Sequence, residues 1–291
     1  MMSGGGNCNN RGNRGNNRGQ RHEQRKRDMN SNAEEPIHVR REGTIATVVL
    51  NRPQKLNALT KPMWRRLGEA FEELSGDDAL RCVVIRGAGT KAFSPGNDIS
   101  EFANERSNVE QARLYGRIMH ATLDAIAACR HPVVAMIHGI CVGGGLEIAG
   151  LADVRICGES SRFGVPIKNL GLVMGYGELR HLIGLAGQAT AMEILLEGRV
   201  FAAEEALQKR LVTRVVPDDK VEEESLAAAQ RIAEGAPLVA RWHKKFARRL
   251  ADPRALSDEE YDEGFACFGT EDFQIGYRAF LARKKPGFKG R

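Results

Sequence analysis

A single carboxylate, Glu147, lies in an apolar stretch that follows three consecutive glycines. The stretch reads HGICVGGGLEIAGLADVRI over residues 138–156, and the next charged residue is Asp153. Apolar neighbours leave a helix through Glu147 without a polar face, so burial should raise the pKa of its carboxyl group. A carboxyl group that is partly protonated near neutral pH can donate or accept a proton. The sequence therefore predicts Glu147 as a general acid or base.

Two turns that precede helix starts could supply backbone N–H donors. In KAFSPGNDISEF (residues 91–102), Asn97 ends a turn, and Asp98 and Glu101 have the spacing of an N-cap and its reciprocal acid. Gly144 precedes a second helix, and glycine there would let a ligand approach the backbone. If the N–H groups of Asn97 and Gly144 converge, they form an oxyanion hole for a carbonyl oxygen. The spacing alone is equally compatible with two ordinary loop-to-helix turns.

Alternating strands and helices must position these groups. Apolar runs predict strands at 44–50, 81–87, 132–139, 153–158 and 213–217. Helical periodicity predicts helices at 62–74, 108–128 and 145–152, and after Pro217 at 219–234, 237–250, 258–268 and 271–284. The pattern indicates an α/β body followed by a helical C-terminal part.

Composition excludes several classes of protein. No apolar run approaches the ~20 residues of a membrane span, so we expect no membrane association. The seven histidines show no paired metal spacing, and the six cysteines include no C-x-x-C pair, so we expect no metal site. Without a signal peptide, a reducing cytoplasm is the expected location. The segment GAGTKA (87–92) spells a dinucleotide fingerprint but leads into a turn, whereas that fold requires a long helix.

The basic charge is concentrated in residues 1–33. This segment has seven basic and two acidic residues, which accounts for +5 of the net charge of +6. It contains no Val, Ile, Leu or aromatic residue, and we predict a disordered tail. Its R-G-N spacing is similar to that of RNA-binding segments but lacks their interleaved aromatics. We therefore expect no specific role, with weak contact to anions or RNA as the alternative.

Six ordered segments resemble the crotonase superfamily, the enoyl-CoA hydratase/isomerase family. The segments are NRPQKLNALT, KAFSPGNDI, HPVVAMIHGICVGGGLEIAGLADVRI, SRFGVPIKNLGL, GLAGQATAMEILLEGRVFAAEEALQKRLVTRVVP and EGFACFGTEDFQIGYRAFLARKKPGFKGR. The resemblance implies a spiral of repeated strand–strand–helix turns over residues 34–217 and an α-helical trimerisation domain over 218–291. It also implies a homotrimer or dimer of trimers. The implied substrate is an acyl-CoA, with no cofactor beyond the coenzyme A that it carries.

The same resemblance assigns roles to individual residues. The N–H groups of Asn97 and Gly144 would hold the thioester enolate, and Glu147 falls on the first of two catalytic glutamates. The positions that would contact coenzyme A are Lys91, Asn57, Ala58 and Leu59, together with Phe280 and Arg283 from a neighbouring subunit. The family has a lysine where this chain has Arg283. Taken alone, Phe280 would be predicted as a core residue and Lys91 as a solvated surface charge.

One departure from the family affects the predicted chemistry. Ile167 occupies the position of the second catalytic glutamate, and isoleucine cannot move a proton. Tyr176 and Glu178 replace small residues that line the acyl pocket in the family, so either could supply a displaced acid or base. For Glu178, a charge at a helix N-terminus is an equal alternative.

Rival functions follow from the same residues. With a single carboxylate, decarboxylation or thioester hydrolysis is the alternative to hydration or isomerisation. A catalytically weak, RNA-associated binding protein is the alternative of another class, although such a protein has no need of a buried Glu147.

Overall fold

Two sheets carry the strands of residues 35–291, the part of the chain that the computed structural model describes. The tail predicted for residues 1–33 lies outside these described residues. In chain order the strands are β1 (Ile37–Glu42), β2 (Ile45–Leu50), β3 (Cys82–Gly87), β4 (Ala92–Ser94), β5 (Val133–Ile137), β6 (Ile140–Val142), β7 (Val154–Gly158), β8 (Arg162–Gly164), β9 (Phe201–Ala202) and β10 (Arg214–Val216).

The larger sheet has the order β1-β2-β3-β5-β7-β10, and the smaller has the order β4-β6-β8-β9. Strand pairs are parallel except β1 with β2 and β8 with β9, which are antiparallel. The chain passes back and forth between the two sheets: β3, β5 and β7 of the larger sheet are each followed by a short strand of the smaller sheet. The five predicted strands are present and all belong to the larger sheet, whereas β1 and the whole of the smaller sheet were not predicted.

Helices cover both sheets. They are α1 (Lys61–Gly76), α2 (Phe102–Glu105), α3 (Val109–Ala128), α4 (Gly144–Gly150), α5 (Tyr176–Ala186), α6 (Gln188–Glu197), α7 (Ala203–Gln208), α8 (Val221–Ala233), α9 (Pro237–Arg249), α10 (Asp258–Glu263) and α11 (Glu271–Leu281). Helix α1 buries Met63, Leu67, Phe71 and Leu74 on one stripe, as its periodicity predicts. It packs along α3.

The C-terminal helices differ in how they pack. Helix α8 packs against the larger sheet, where Val221 and Ala229 join a buried cluster with Val84 and Met136. Helix α9 is tied to the same sheet through the buried Lys244, whose Nζ lies 2.6 Å from Oδ2 of Asp153. The region that begins at residue 218 therefore starts with helices that pack on the body.

One predicted helix is broken. The sequence predicts a continuous helix over 258–268, but α10 ends at Glu263 and a separate 3-10 turn covers Ala266–Gly269. Gly264 follows α10 directly, and glycine is a poor helix former, which favours an end there. Within the described residues, no helix is long and apolar enough to cross a membrane.

Candidate active site

Pairing of β4 with β6 brings the two glycine-containing turns together. The strands are parallel, so the segments that follow them leave the sheet at the same edge. A Cβ added to Gly96 would lie 2.5 Å from the backbone nitrogen of Gly144. The turn before Asn97 is thus in direct contact with the start of α4.

The N–H groups of Asn97 and Gly144 are both available to a ligand. Leu59 donates its N–H to the carbonyl of Gly96 and accepts a bond from the N–H of Asp98, which leaves the N–H of Asn97 on the opposite side of this parallel bridge. Gly144 is the first residue of α4, where helical N–H groups have no intrahelical partner. Neither N–H donates a hydrogen bond to another described residue.

The side chain of Asn97 fixes the turn. Its Oδ1 accepts a hydrogen bond of 2.7 Å from the indole N–H of Trp64 and one of 3.3 Å from the hydroxyl of Tyr115. Both donors are almost completely buried. Two rigid aromatic side chains therefore hold the backbone of Asn97 in place.

The glycine triplet accommodates the protein's own backbone. A Cβ on Gly145 would lie 2.0 Å from the carbonyl oxygen of Ser94, and one on Gly144 would lie 3.2 Å from Cα of Gly96. Gly143 has φ of 50°, in the region that favours glycine. Close packing of two chain segments thus requires these glycines, in addition to the ligand access predicted from the sequence.

The predicted capping pair at Asp98 and Glu101 is half wrong. Asp98 caps only a 3-10 turn, with Oδ1 accepting from the N–H of Ser100 at 3.0 Å. The N–H of Asp98 is already bonded to Leu59, so Glu101 cannot reciprocate. Instead Oε2 of Glu101 accepts from the N–H of Lys61 at 2.8 Å.

Glu147 lies in the first turn of α4, three residues after Gly144. The residue is partly buried, but its Oε2 atom is inaccessible to solvent and has no hydrogen-bond partner. Burial, and to a smaller extent the nearby charge of Glu178, raises the pKa of Glu147 to about 8, and the charge of Arg106 opposes both. The direction is the one predicted from the apolar surroundings.

Glu178 shares a cavity with Glu147. Glu178 lies in the first turn of α5, which packs against α4, and it is 6% exposed. Its Oε2 is buried without a partner, and its Oε1 lies 2.8 Å from Nε2 of His120. The cavity encloses about 20 Å³, which is room for about one water molecule. The remaining lining is mostly apolar: Leu146, Gly150, Val165, Met174, His181, Leu182 and Leu185.

The alternative candidate, Tyr176, and the family's position for the second glutamate, Ile167, lie elsewhere. Tyr176 is 94% exposed. Ile167 is partly buried and packs against the hydrophobic core. Neither lines the cavity at Glu147. Of the two candidates, the fold brings only Glu178 to Glu147.

The residues predicted to meet coenzyme A fall into two groups. Asn57 is buried, and its side-chain amide donates to the carbonyls of Ala88 and Ala92 at 3.1 and 2.8 Å. Ala58 and Leu59 are also buried and adjoin the turn before Asn97. These three residues support the turn.

The second group is exposed. The side chain of Lys91 faces solvent just before β4. Phe280 is 82% exposed near the end of α11, which differs from the core position expected of an isolated phenylalanine. Arg283 follows it and is also exposed. Coenzyme A contact at all these positions is a prediction.

Several residues of the site were not predicted from the sequence, among them Trp64, Tyr115 and His120. Trp64 and Tyr115 lie on the buried stripes of α1 and α3 and look like ordinary core residues there. His120 bonds Glu178 from an exposed face of α3, which no local pattern distinguishes from a surface position. Their roles depend on contacts between distant segments.

Comparison with known proteins gives one consistent family. The model of the enoyl-CoA hydratase/isomerase family matches residues 40–291. A short-chain-enoyl-CoA hydratase of Clostridium acetobutylicum is 31% identical over 261 residues, which are 88% of this chain and 98% of that protein. A crotonyl-CoA hydratase of Syntrophomonas wolfei is 32% identical over 259 residues, which are 88% of this chain and 98% of that protein.

Solved structures agree with this assignment. An enoyl-CoA hydratase/carnithine racemase from Magnetospirillum magneticum is 52% identical, with a TM-score of 0.87, over 88% of this chain and 96% of that one. An enoyl-CoA hydratase from Bacillus anthracis is 29% identical, with a TM-score of 0.83, over 88% of this chain and all of that one (100%). The predicted α/β spiral is confirmed.

Proposed function

Because the chain belongs to the enoyl-CoA hydratase/isomerase family and is an enzyme that acts on acyl-CoA thioesters, we propose that it adds water across the 2,3-double bond of an enoyl-CoA. The observation that carries this proposal is the cavity shared by Glu147 and Glu178, which has room for about one water molecule. Isomerisation moves a proton and needs no water, so one carboxyl group suffices for it. Two carboxyl groups around a cavity with room for a single water molecule favour hydration.

The thioester oxygen would be held by the N–H groups of Asn97 and Gly144. As hydroxide adds to C3, negative charge moves through C2 to this oxygen, and two preorganised donors stabilise it there. The N-terminus of α4 adds a favourable partial charge. The contact between Gly96 and Gly144 supports this assignment, as does the lack of an acceptor for either N–H among the described residues.

The two carboxyl groups would divide the proton transfers. Glu147 is largely protonated near neutral pH because burial raises its pKa to about 8, so it can give its proton to C2. Glu178 accepts the proton that the water loses when its oxygen bonds to C3. The product is a 3-hydroxyacyl-CoA, and both glutamates exchange protons with water to begin the next cycle.

We extend the proposal to the remainder of the substrate and to assembly. Coenzyme A would lie along Lys91 and the segment at 57–59, with Phe280 and Arg283 contributed by a neighbouring copy in a homotrimer or dimer of trimers. The exposure of large apolar residues on the C-terminal helices supports association of copies. No resident cofactor is needed for this reaction, and four buried cysteines without disulfides support a reducing compartment.

The test is hydration of crotonyl-CoA, followed by loss of the enoyl absorbance and by product mass. Glu178→Gln should lower kcat by ~10²-fold or more, the scale of general acid–base assistance. Ile167→Glu should add no rate because Glu178 already fills the second role. Glu204→Gln, an exposed position on α7, controls for loss of a charge. Undiminished hydration by Glu178→Gln would contradict the proposal.

A further inference from the structure

Arg106 has a buried hydrogen-bond donor that no described residue satisfies. Its Nη1 atom is inaccessible to solvent and lacks a partner. No described carboxylate forms an ion pair with its guanidinium group. Buried donors are almost always paired in native proteins, and a charged one is costly to leave without an acceptor. The unused donor therefore points to a ligand.

Aromatic rings hold this guanidinium group in position. Its central carbon lies 4.7 Å from the ring centre of Phe102 and 5.0 Å from that of Tyr115. Cation–π contacts offset part of the cost of removing arginine from water. They leave the planar fork of N–H donors free, and a carboxylate matches that fork with two parallel hydrogen bonds.

Arg106 is connected to the residues that would act on the substrate. Tyr115, on which the guanidinium group packs, bonds the side chain of Asn97. Arg106 is also close enough to Glu147 for its charge to oppose the rise in the pKa of that carboxyl group. It is thus linked to the predicted oxyanion hole through Tyr115 and to the proton-transfer group through its charge. We therefore place the acyl end of the site near Arg106, whereas the exposed Lys91 is at the predicted coenzyme A end.

We propose that Arg106 binds a carboxylate at the far end of the substrate's acyl group, so that the enzyme acts on enoyl-CoA thioesters of dicarboxylic acids. This inference rests on the proposed function. An ion pair with Arg106 stabilises the carboxylate and therefore opposes its loss as carbon dioxide. The expected reaction is hydration of the double bond with the carboxylate retained.

A matched pair of substrates tests the inference. Glutaconyl-CoA differs from 2-pentenoyl-CoA by a carboxylate in place of the terminal methyl group. The wild type should favour glutaconyl-CoA in kcat/KM by about 10-fold to 100-fold, the range for a charge-assisted hydrogen-bonded pair. Arg106→Met should abolish the preference, and Arg106→Lys should restore it only in part. Arg113→Met, which removes an exposed arginine of α3, should keep it.

Binding of unreactive analogues separates recognition from catalysis. Calorimetric titration with glutaryl-CoA and pentanoyl-CoA should show the same preference in the wild type and its loss in Arg106→Met. Equal binding of the two esters by the wild type, or a preference that survives Arg106→Met, would overturn the inference alone. So would an Arg106→Met variant that shifts the pH profile equally for both substrates and leaves the ratio of their kcat/KM values unchanged, because Arg106 would then act only on Glu147.

The results that would contradict hydration differ from those that would contradict carboxylate recognition. If the wild type binds both esters but hydrates neither unsaturated substrate, hydration is contradicted. The ratio of the affinities for glutaryl-CoA and pentanoyl-CoA then decides whether Arg106 recognises a carboxylate. Release of carbon dioxide from glutaconyl-CoA would contradict hydration and retention of the carboxylate. Failure to bind either ester would overturn both proposals.

Discussion

Glu147 couples the chemistry of the site to the stability of the fold. Its pKa is about 8 in the folded protein, against an ordinary value of 4.5. Between these values the folded state holds a proton that the unfolded state releases, so stability falls as pH rises through this window. Below the ordinary value both states are protonated, and the contribution is fully present.

Glu147→Gln should therefore flatten the pH dependence of unfolding. Since each pKa unit corresponds to about 1.4 kcal/mol, the gain in unfolding free energy at about pH 8.5 is at most several kcal/mol, and it should vanish near pH 4. Urea unfolding of both proteins across this range measures it. The same variant should lose ~10²-fold or more in turnover. Parallel pH curves for wild type and variant would refute the raised pKa.

Two substitutions of Gly144 test the oxyanion hole, because they differ in whether the backbone N–H is kept. Proline is tolerated at the first position of a helix, so Gly144→Pro removes the N–H without breaking α4. Gly144→Ala adds a Cβ at the same place, 3.2 Å from Cα of Gly96, but keeps the N–H. We expect turnover of the proline variant to be ~100-fold below that of the alanine variant. Equal turnover, with both proteins folded by circular dichroism, would exclude this N–H from catalysis.

At the scale of the element, we expect alanine substitutions at two glycines to change the stability of the fold in opposite directions, because one glycine is crowded and the other is not. A Cβ on Gly145 would meet the backbone of β4, whereas one on Gly116, inside α3, would meet nothing within 4 Å. Gly145→Ala should cost about 3 kcal/mol or more through overpacking. Gly116→Ala should add about 0.5–1 kcal/mol because alanine favours a helix. Chemical denaturation measures both, and a stable Gly145→Ala protein would contradict the described contact between β4 and α4.

The long elements were predictable because their patterns are local. Helices α1 and α3 each repeat an apolar stripe over several turns, and β3 and β5 are continuous apolar runs. The smaller sheet was missed because its strands have two or three residues, too few to show alternation. Its pairings are fixed only when the larger sheet brings the short strands side by side.

Within the site, the roles of residues in distinctive segments were predictable, whereas contacts between residues distant in the sequence were not. Glu147, Asn97 and Gly144 stand in segments whose composition already indicates their roles. Glu178 could be proposed only as one of two positions, because its approach to Glu147 depends on how α5 packs on α4. Arg106 gave no signal, since nothing in its neighbours along the chain indicates that its Nη1 atom is buried.

At the scale of the whole molecule, the C-terminal helices present an unusual surface. Large apolar residues there are more than half exposed: Leu250, Tyr261, Phe265, Phe268, Tyr277, Phe280 and Leu281. Exposed apolar residues in such number are typical of an interaction site. It agrees with the proposed association of copies, in which Phe280 would reach a neighbouring site.

Deleting residues 1–33 tests the role assigned to the tail. A segment without Val, Ile, Leu or aromatic residues contributes little packing, so we expect an unchanged melting temperature, oligomeric state and acyl-CoA kinetics. Calorimetry, light scattering and steady-state assays on the two proteins make the comparison. A melting temperature lower by several degrees, or dissociation of the oligomer, would show that the tail is structural.

The parallel pairing of β4 with β6 has a consequence for the order of folding events. It joins segments separated by the whole of α3, and such non-local contacts form slowly because a long loop must close first. The helices can form from local contacts, but the N–H groups of Asn97 and Gly144 meet only when this pairing is complete. During refolding, helical circular dichroism should therefore recover before enzymatic activity, and activity should return together with the last native strand pairing.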